Sequence, residues 1–187
     1  MNQAKNNRIS ILSGVVIVFL YGLTMATYFD IVNKVIVSSQ GIENSIYYYF
    51  SFFNYFTTLI IVFSVWLVSS FLFHLFTYLF VGNYEVDFKI FLKYTGLLYF
   101  FPTIGFIISI YLFSKITLPH EKVLDFLANN RVMFLISCII NASSLLSFIL
   151  IVPIIRKIYK TGWLLSFCSV ATPLILLFFV TKLLSVF

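Results

Sequence analysis

His74 is the one ionisable side chain that the sequence sets deep inside a long apolar run. An imidazole there is the usual mark of a proton relay or a ligand contact. Ser70, Thr77 and Tyr78 stand three or four residues from it and Trp66 two turns back, so at helical spacing they form a small polar stripe. The other reading is a neutral histidine hydrogen-bonded between helices, and the lack of a carboxylate partner favours it.

Ser137, Asn141 and Ser144 share a face of a later run, with Ser147 nearby, and Ser166, Ser169 and Thr172 share a face of the last. Small residues allow close helix approach, and their hydroxyls or amides bond across the gap for about 1 kcal/mol each. The two faces are therefore expected to pack on one another, in preference to forming a substrate site. Tyr99 stands just before Pro102, and Pro102, Pro153 and Pro173 each free a backbone carbonyl in or near an apolar run. Kinks are expected at all three, and Pro102 and Pro173 lie deep enough to shape a cavity.

All six carboxylates are expected in loops or at the edges of apolar runs, so the sequence offers no paired buried acids for acid–base catalysis. It also has no His-Glu-x-x-His, no CxxC, no phosphate-cradling glycine loop and no Gly-x-Ser-x-Gly. The expectation is no catalytic residue, no cofactor and no metal. The apparent glycosylation site Asn141-Ala142-Ser143 falls inside a span and is dismissed.

The elements that must carry these residues follow from composition. The 187 residues are 61% hydrophobic and 10% charged, where a soluble domain carries about a quarter charged residues. A crossing helix needs roughly 20 apolar residues, and the runs here are long and unbroken, without the short alternation of a barrel. The sequence predicts an all-α polytopic bundle in one domain, residues 1–187, with five spans at about 10–29, 54–81, 90–113, 132–155 and 164–186. The first is read as an uncleaved span, being long for a signal peptide and lacking a small-x-small site. Residues 30–49 are expected to lie on the membrane surface, since Ile31, Val32, Val35 and Ile36 repeat at helical spacing beside Lys34, Gln40, Gly41, Glu43 and Asn44. The second span is long enough to tilt, or to begin in the interface among Tyr47, Tyr48, Tyr49 and Tyr55.

Residues 82–87 form a turn with two acids, 115–131 a loop with Pro119, His120, Glu121, Lys122 and Asp125, and 156–160 a tight connector before the interfacial anchor Trp163. With a cytoplasmic N-terminus, seven bases lie inside (Lys5, Arg8, Lys89, Lys93, Arg156, Lys157, Lys160) and five outside (Lys34, Lys115, Lys122, Arg131, Lys182). That asymmetry puts the N-terminus in the cytoplasm and the C-terminus outside. The bases are too scattered for nucleic acid. Cys138 and Cys168 sit at depths roughly 14 Å apart at about 1.5 Å per residue, too far for a disulfide.

Trp66 to Phe80, then Gly82, Asn83 and the polar turn, Phe88, Lys89, and Tyr99, Phe100, Phe101, Pro102 resemble the central part of Yip1-type membrane proteins, in particular their bacterial branch. The likeness covers residues 66–102. There is one glycine at the turn where a pair is common, and no Asp-Leu-Tyr-Gly-Pro element precedes the first span, so the eukaryotic branch's trafficking role does not carry over. The resemblance implies five spans and an accessory or scaffolding role, in some bacterial relatives beside ABC-type exporters that protect against antimicrobial peptides. It implies no catalytic residue.

The functional expectation is a non-enzymatic protein that binds membrane lipid and other integral membrane proteins or itself. One alternative is a component of a small-molecule or ion carrier, against which stand the odd span number and the lack of internal repeats. Another is an immunity protein acting alone, which would meet a toxin through residues 30–49 and 115–131. Abundant Phe, Ile, Lys and Asn point to an AT-rich bacterial genome and so to the bacterial plasma membrane.

Overall fold

The computed structural model describes residues 2–39, 44–82, 86–116 and 123–184, with side chains at residues 12–38, 47–82, 86–116, 123–176, 178, 179 and 182. Seven helices occur among them: α1 (Asn2–Ser39), α2 (Asn44–Val81), α3 (Phe88–Leu98), α4 (Phe100–Phe113), α5 (Val123–Asn129), α6 (Arg131–Tyr159) and α7 (Trp163–Leu184). No strand occurs among the described residues. Four apolar stretches are long enough to cross a membrane: Leu12–Ser38, Tyr47–Val81, Phe88–Phe113 and Arg131–Tyr159. α7 adds a shorter apolar stretch, Trp163–Leu176.

Several expected boundaries move. Residues 30–39 do not form a separate surface segment but continue α1, and α2 opens at Asn44, so each helix has 38 residues. At about 1.5 Å per residue each is roughly 57 Å long, well beyond a hydrocarbon core of about 30 Å. Arg156 to Tyr159 form the last turn of α6, and the connector shrinks to Lys160, Thr161 and Gly162. Part of the expected loop 115–131 is α5, because Val123 and Leu127, one turn apart, are both buried. Gln40, Gly41, Glu43, Asn83, Tyr84, Glu85, Pro119, His120, Glu121 and Lys122, and the side chains of Lys5, Arg8 and Asn44, lie outside the described residues.

Local chemistry sets the helix ends. α2 stops at Gly82, whose φ of +67° is left-handed and whose N–H donates to the Tyr78 carbonyl at 2.9 Å. Asp87 caps α3, its carboxylate accepting the Lys89 N–H at 2.9 Å, and Asn130 caps α6 through the Val132 N–H at 2.7 Å. At its far end the Thr161 N–H reaches back to the Arg156 carbonyl at 3.2 Å, with Lys160 at a φ of +52°. The expected kink at Pro102 is present as the break between α3 and α4 at Tyr99. Proline leaves the Leu98 carbonyl without its helical donor, and the Ser147 hydroxyl supplies one at 2.9 Å.

The chain forms two compact units. One contains Met1–Val16, Val65–Leu98 and Ser147–Phe187, the other Ile17–Ser64 and Tyr99–Leu146. The core of the second is aromatic, with Tyr28, Phe106, Phe113, Val123, Leu127 and Ile136 buried together and the Tyr28 and Phe106 rings edge to face at 5.6 Å. In the first, Phe91, Ile155 and Tyr159 are buried, and α1 meets α3 backbone to backbone. A Cβ on Gly96 would stand 2.9 Å from the Gly14 Cα, and one on Gly14 would stand 2.9 Å from the Lys93 carbonyl oxygen. Only glycine permits that approach, the usual device for closing helices in lipid.

Gly96→Ala is therefore expected to destabilise the protein by about 1–3 kcal/mol through backbone displacement. Thermal unfolding in mild detergent measures this, with Gly162→Ala, whose Cβ would meet nothing within 4 Å, as the neutral comparison.

Candidate functional site

The predicted polar stripe of α2 divides between two partners in the first unit. Thr95 of α3 takes the upper part. The Trp66 Nε1–H donates to its hydroxyl at 3.2 Å, and Ser70 lies 2.7 Å from the same oxygen. Thr95 itself donates to the Leu92 carbonyl at 2.9 Å. A hydroxyl has one proton and two lone pairs, so Ser70 must be the donor in their contact, and the Thr95 oxygen is then saturated.

One turn further on, His74 Nδ1 is hydrogen-bonded to the Tyr159 hydroxyl, at the end of α6. Phe88, Phe91 and Tyr159 surround the imidazole, with ring centroids 5.2, 6.0 and 5.9 Å away. Tyr159 is buried, which fixes the phenol beside the imidazole. A neutral imidazole accepting the phenolic proton puts no net charge in this apolar surrounding. No carboxylate hydrogen-bonds to either member of the pair among the described residues. Thr77 is buried too, but turns to its own helix, donating to the Phe73 carbonyl at 2.6 Å. Tyr78 is partly exposed.

The remaining predicted residues lie in the second unit and do not form one site. Tyr99 packs on Tyr21 at 5.1 Å, and Pro102 is buried at the start of α4. Asn141 is exposed and donates to Ser137 on its own helix at 3.4 Å, and Ser144 is half-buried. Of the face expected to pack against these, Ser166 and Ser169 are fully buried in the first unit, donating to the Gly162 and Leu165 carbonyls of their own chain turn at 2.9 and 2.8 Å. The Ser166 and Ser169 hydroxyls, expected to bond across a helix gap, are thus satisfied within their own turn, whereas Ser147 does bond across one, to the Leu98 carbonyl of α3. Cys138 and Cys168 are free thiols, as their calculated depths required.

Sequence reasoning did not include Thr95 or Tyr159. Thr95 carried a usable signal, since it stands one turn after Phe91 on the buried side of α3. Tyr159 carried none, because the basic residues around it read as a loop.

The end of α6 also forms a basic rim. Val86, Ile90 and Tyr94 on one side and Ile154, Lys157 and Lys160 on the other enclose a cavity of ≈ 420 Å³. Lys157 and Lys160 line a second cavity of ≈ 460 Å³ with Pro153, Arg156 and Thr161. The Arg156 guanidinium lies over the Trp163 ring, 4.4 Å from its centroid, which holds it at the edge of α7. An apolar wall beside ammonium groups is the chemistry that holds a phosphate on an acyl chain.

Thr95→Val should cost about 1–2 kcal/mol, since it strands the Trp66 and Ser70 donors together. Asn141→Ala, at an exposed position, should change stability by less than about 0.5 kcal/mol. Unfolding midpoints of the two variants in one detergent give the comparison.

No protein-family model, curated protein or solved structure matches this chain.

Proposed function

We propose that the chain is a non-catalytic, multi-pass protein of the bacterial plasma membrane that works by binding anionic lipid and other integral membrane proteins. The observation that carries this reading is the cavity of Val86, Ile90, Tyr94, Ile154, Lys157 and Lys160, which two lysines line together with apolar side chains. A phosphodiester headgroup pairs with the ammonium groups while its acyl chain lies on the isoleucines. The closed polar contacts support binding over catalysis. No buried side-chain nitrogen or oxygen among the described residues lacks a hydrogen-bond partner, so the helix interior offers no waiting acid or base.

In this reading α7 is the fifth span, the N-terminus is cytoplasmic and the C-terminus exoplasmic. Lys89, Lys93, Arg156, Lys157 and Lys160 then lie on the inner side, where anionic lipid and the positive-inside rule place them. The Yip1-type resemblance points to an ABC-type exporter as the partner class. The lipid-exposed faces of α2 and α6, rich in Phe, Ile and Leu, are the surfaces such a partner would cover.

Native mass spectrometry after gentle extraction tests the reading. The wild-type protein should retain phosphatidylglycerol in preference to phosphatidylcholine. Lys157→Gln with Lys160→Asn, asparagine being tolerated at a left-handed position, should weaken retention by roughly 2 kcal/mol at about 1 kcal/mol per base. Equal retention of both lipids by wild type and variant, with no co-purifying membrane protein, would overturn it.

A further inference from the structure

Asp30 is the one carboxylate within the four membrane-length stretches, and it falls inside the continuous helix α1. It is half-buried in the second unit. The Tyr47 hydroxyl of α2 reaches it twice, at 2.7 Å from the carboxylate Oδ1 and 2.8 Å from the backbone carbonyl. A phenol has one proton, so the two oxygens share it and the carboxylate keeps most of its acceptor capacity. No basic side chain among the described residues pairs with it, Lys34 one turn further along α1 included. A carboxylate so placed in a membrane protein marks a site by default, unless it has a cationic partner.

The same side chain opens on a cavity of ≈ 490 Å³. Asn33, Ser51, Asn54 and Thr57 are further polar residues of its wall, and Phe50 and Phe53, both largely exposed, are its aromatic ones. The volume suits a small organic molecule and far exceeds a bare ion. A divalent metal would need several carboxylates or carbonyls converging at about 2–2.6 Å, and no group of metal-ligating side chains forms among the described residues. One carboxylate beside two phenyl rings is the recognition chemistry of an ammonium group, which ion-pairs with the acid and lies on the ring faces.

Rigid walls position these groups. The Asn54 side chain donates to the Ala26 carbonyl at 3.3 Å, and the Tyr55 hydroxyl donates to Thr27 at 3.1 Å, so α1 and α2 are tied together directly beside the cavity. We infer that this cavity binds a primary or quaternary ammonium group carried on an apolar body, with Asp30 as the counter-ion and Tyr47 holding the carboxylate in place. The site is separate from the basic rim and does not depend on it. Its ligand is either an amine-headed phospholipid or a free amphiphilic amine, since both present the same cation.

Binding of benzyltrimethylammonium and of its neutral isostere neopentylbenzene to the full chain in phosphatidylglycerol nanodiscs tests this. Saturable binding of the cation, about ten-fold or more tighter than the neutral compound, is expected from one ion pair in a partly desolvated site. Asp30→Asn keeps an acceptor for the Tyr47 hydroxyl and should remove that preference while leaving the unfolding midpoint near wild type. Equal binding of the two compounds by the wild-type protein overturns the inference even if the variant fails to fold, as does an Asp30→Asn protein that folds and keeps the preference. Competition by phosphatidylethanolamine added to the nanodisc identifies the ligand as lipid. A cation preference untouched by that lipid identifies a free amine.

Discussion

Hydrocarbon offers no hydrogen bonds, and every polar atom this chain places there must be bonded to the chain itself. With one residue in ten charged, the molecule cannot carry its surplus into water, and helices are the form that satisfies each peptide group locally. The break at Tyr99 shows how strict the demand is. Pro102 removes a donor from the ladder, and a hydroxyl from another helix, Ser147, sits on the carbonyl left behind. Unbonded in lipid, that carbonyl would cost several kcal/mol. The kink therefore comes with its own repair, and α3 and α6 are tied by it.

The same demand shapes both units. In the first, Trp66, Ser70 and Thr95 use every proton and lone pair of one hydroxyl, and His74 closes on Tyr159. In the second, rungs from Asn54 to Ala26 and from Tyr55 to Thr27 tie α1 to α2. Each unit thus joins helices by neutral side-chain bonds, which lipid tolerates. Glycine does the rest where Gly14 and Gly96 bring α1 and α3 into backbone contact.

Hydropathy made the long helices legible, since a run of apolar residues has one meaning in a chain this poor in charge. Their ends were not legible. Residues 30–39 carry Asp30 and Lys34 among apolar residues, the pattern of a surface segment, and α1 continues through them because Ile31, Val32, Val35 and Ile36 pack on the buried core and Tyr47 bonds Asp30. Arg156 and Lys157 likewise read as a connector. They extend α6 because basic side chains favour a helix C-terminus and because Tyr159, behind them, is buried. The region of His74 could be found from its solitary charge, but its partner could not, because a tertiary contact across 85 residues leaves no local periodicity. Ser166 and Ser169 of α7 misled for the opposite reason. A hydroxyl facing a helix can bond its own preceding turn as readily as a neighbour, and spacing does not distinguish the two.

Charge is graded along the α1–α2 seam. Both helices exceed the hydrocarbon core of a bilayer by roughly 27 Å if they stand upright, so part of the pair must tilt or lie beyond the hydrocarbon. Following the seam towards the chain segment that joins them, the contacts pass from Asn54 with the Ala26 carbonyl, through Tyr55 with Thr27, to Asp30 with Tyr47. Neutral hydroxyls and amides come first and the carboxylate last. That order follows the cost of each group in lipid, which is modest for a hydroxyl and several-fold larger for a charge. The carboxylate accordingly stands at the end of the seam nearest the segment that joins the two helices.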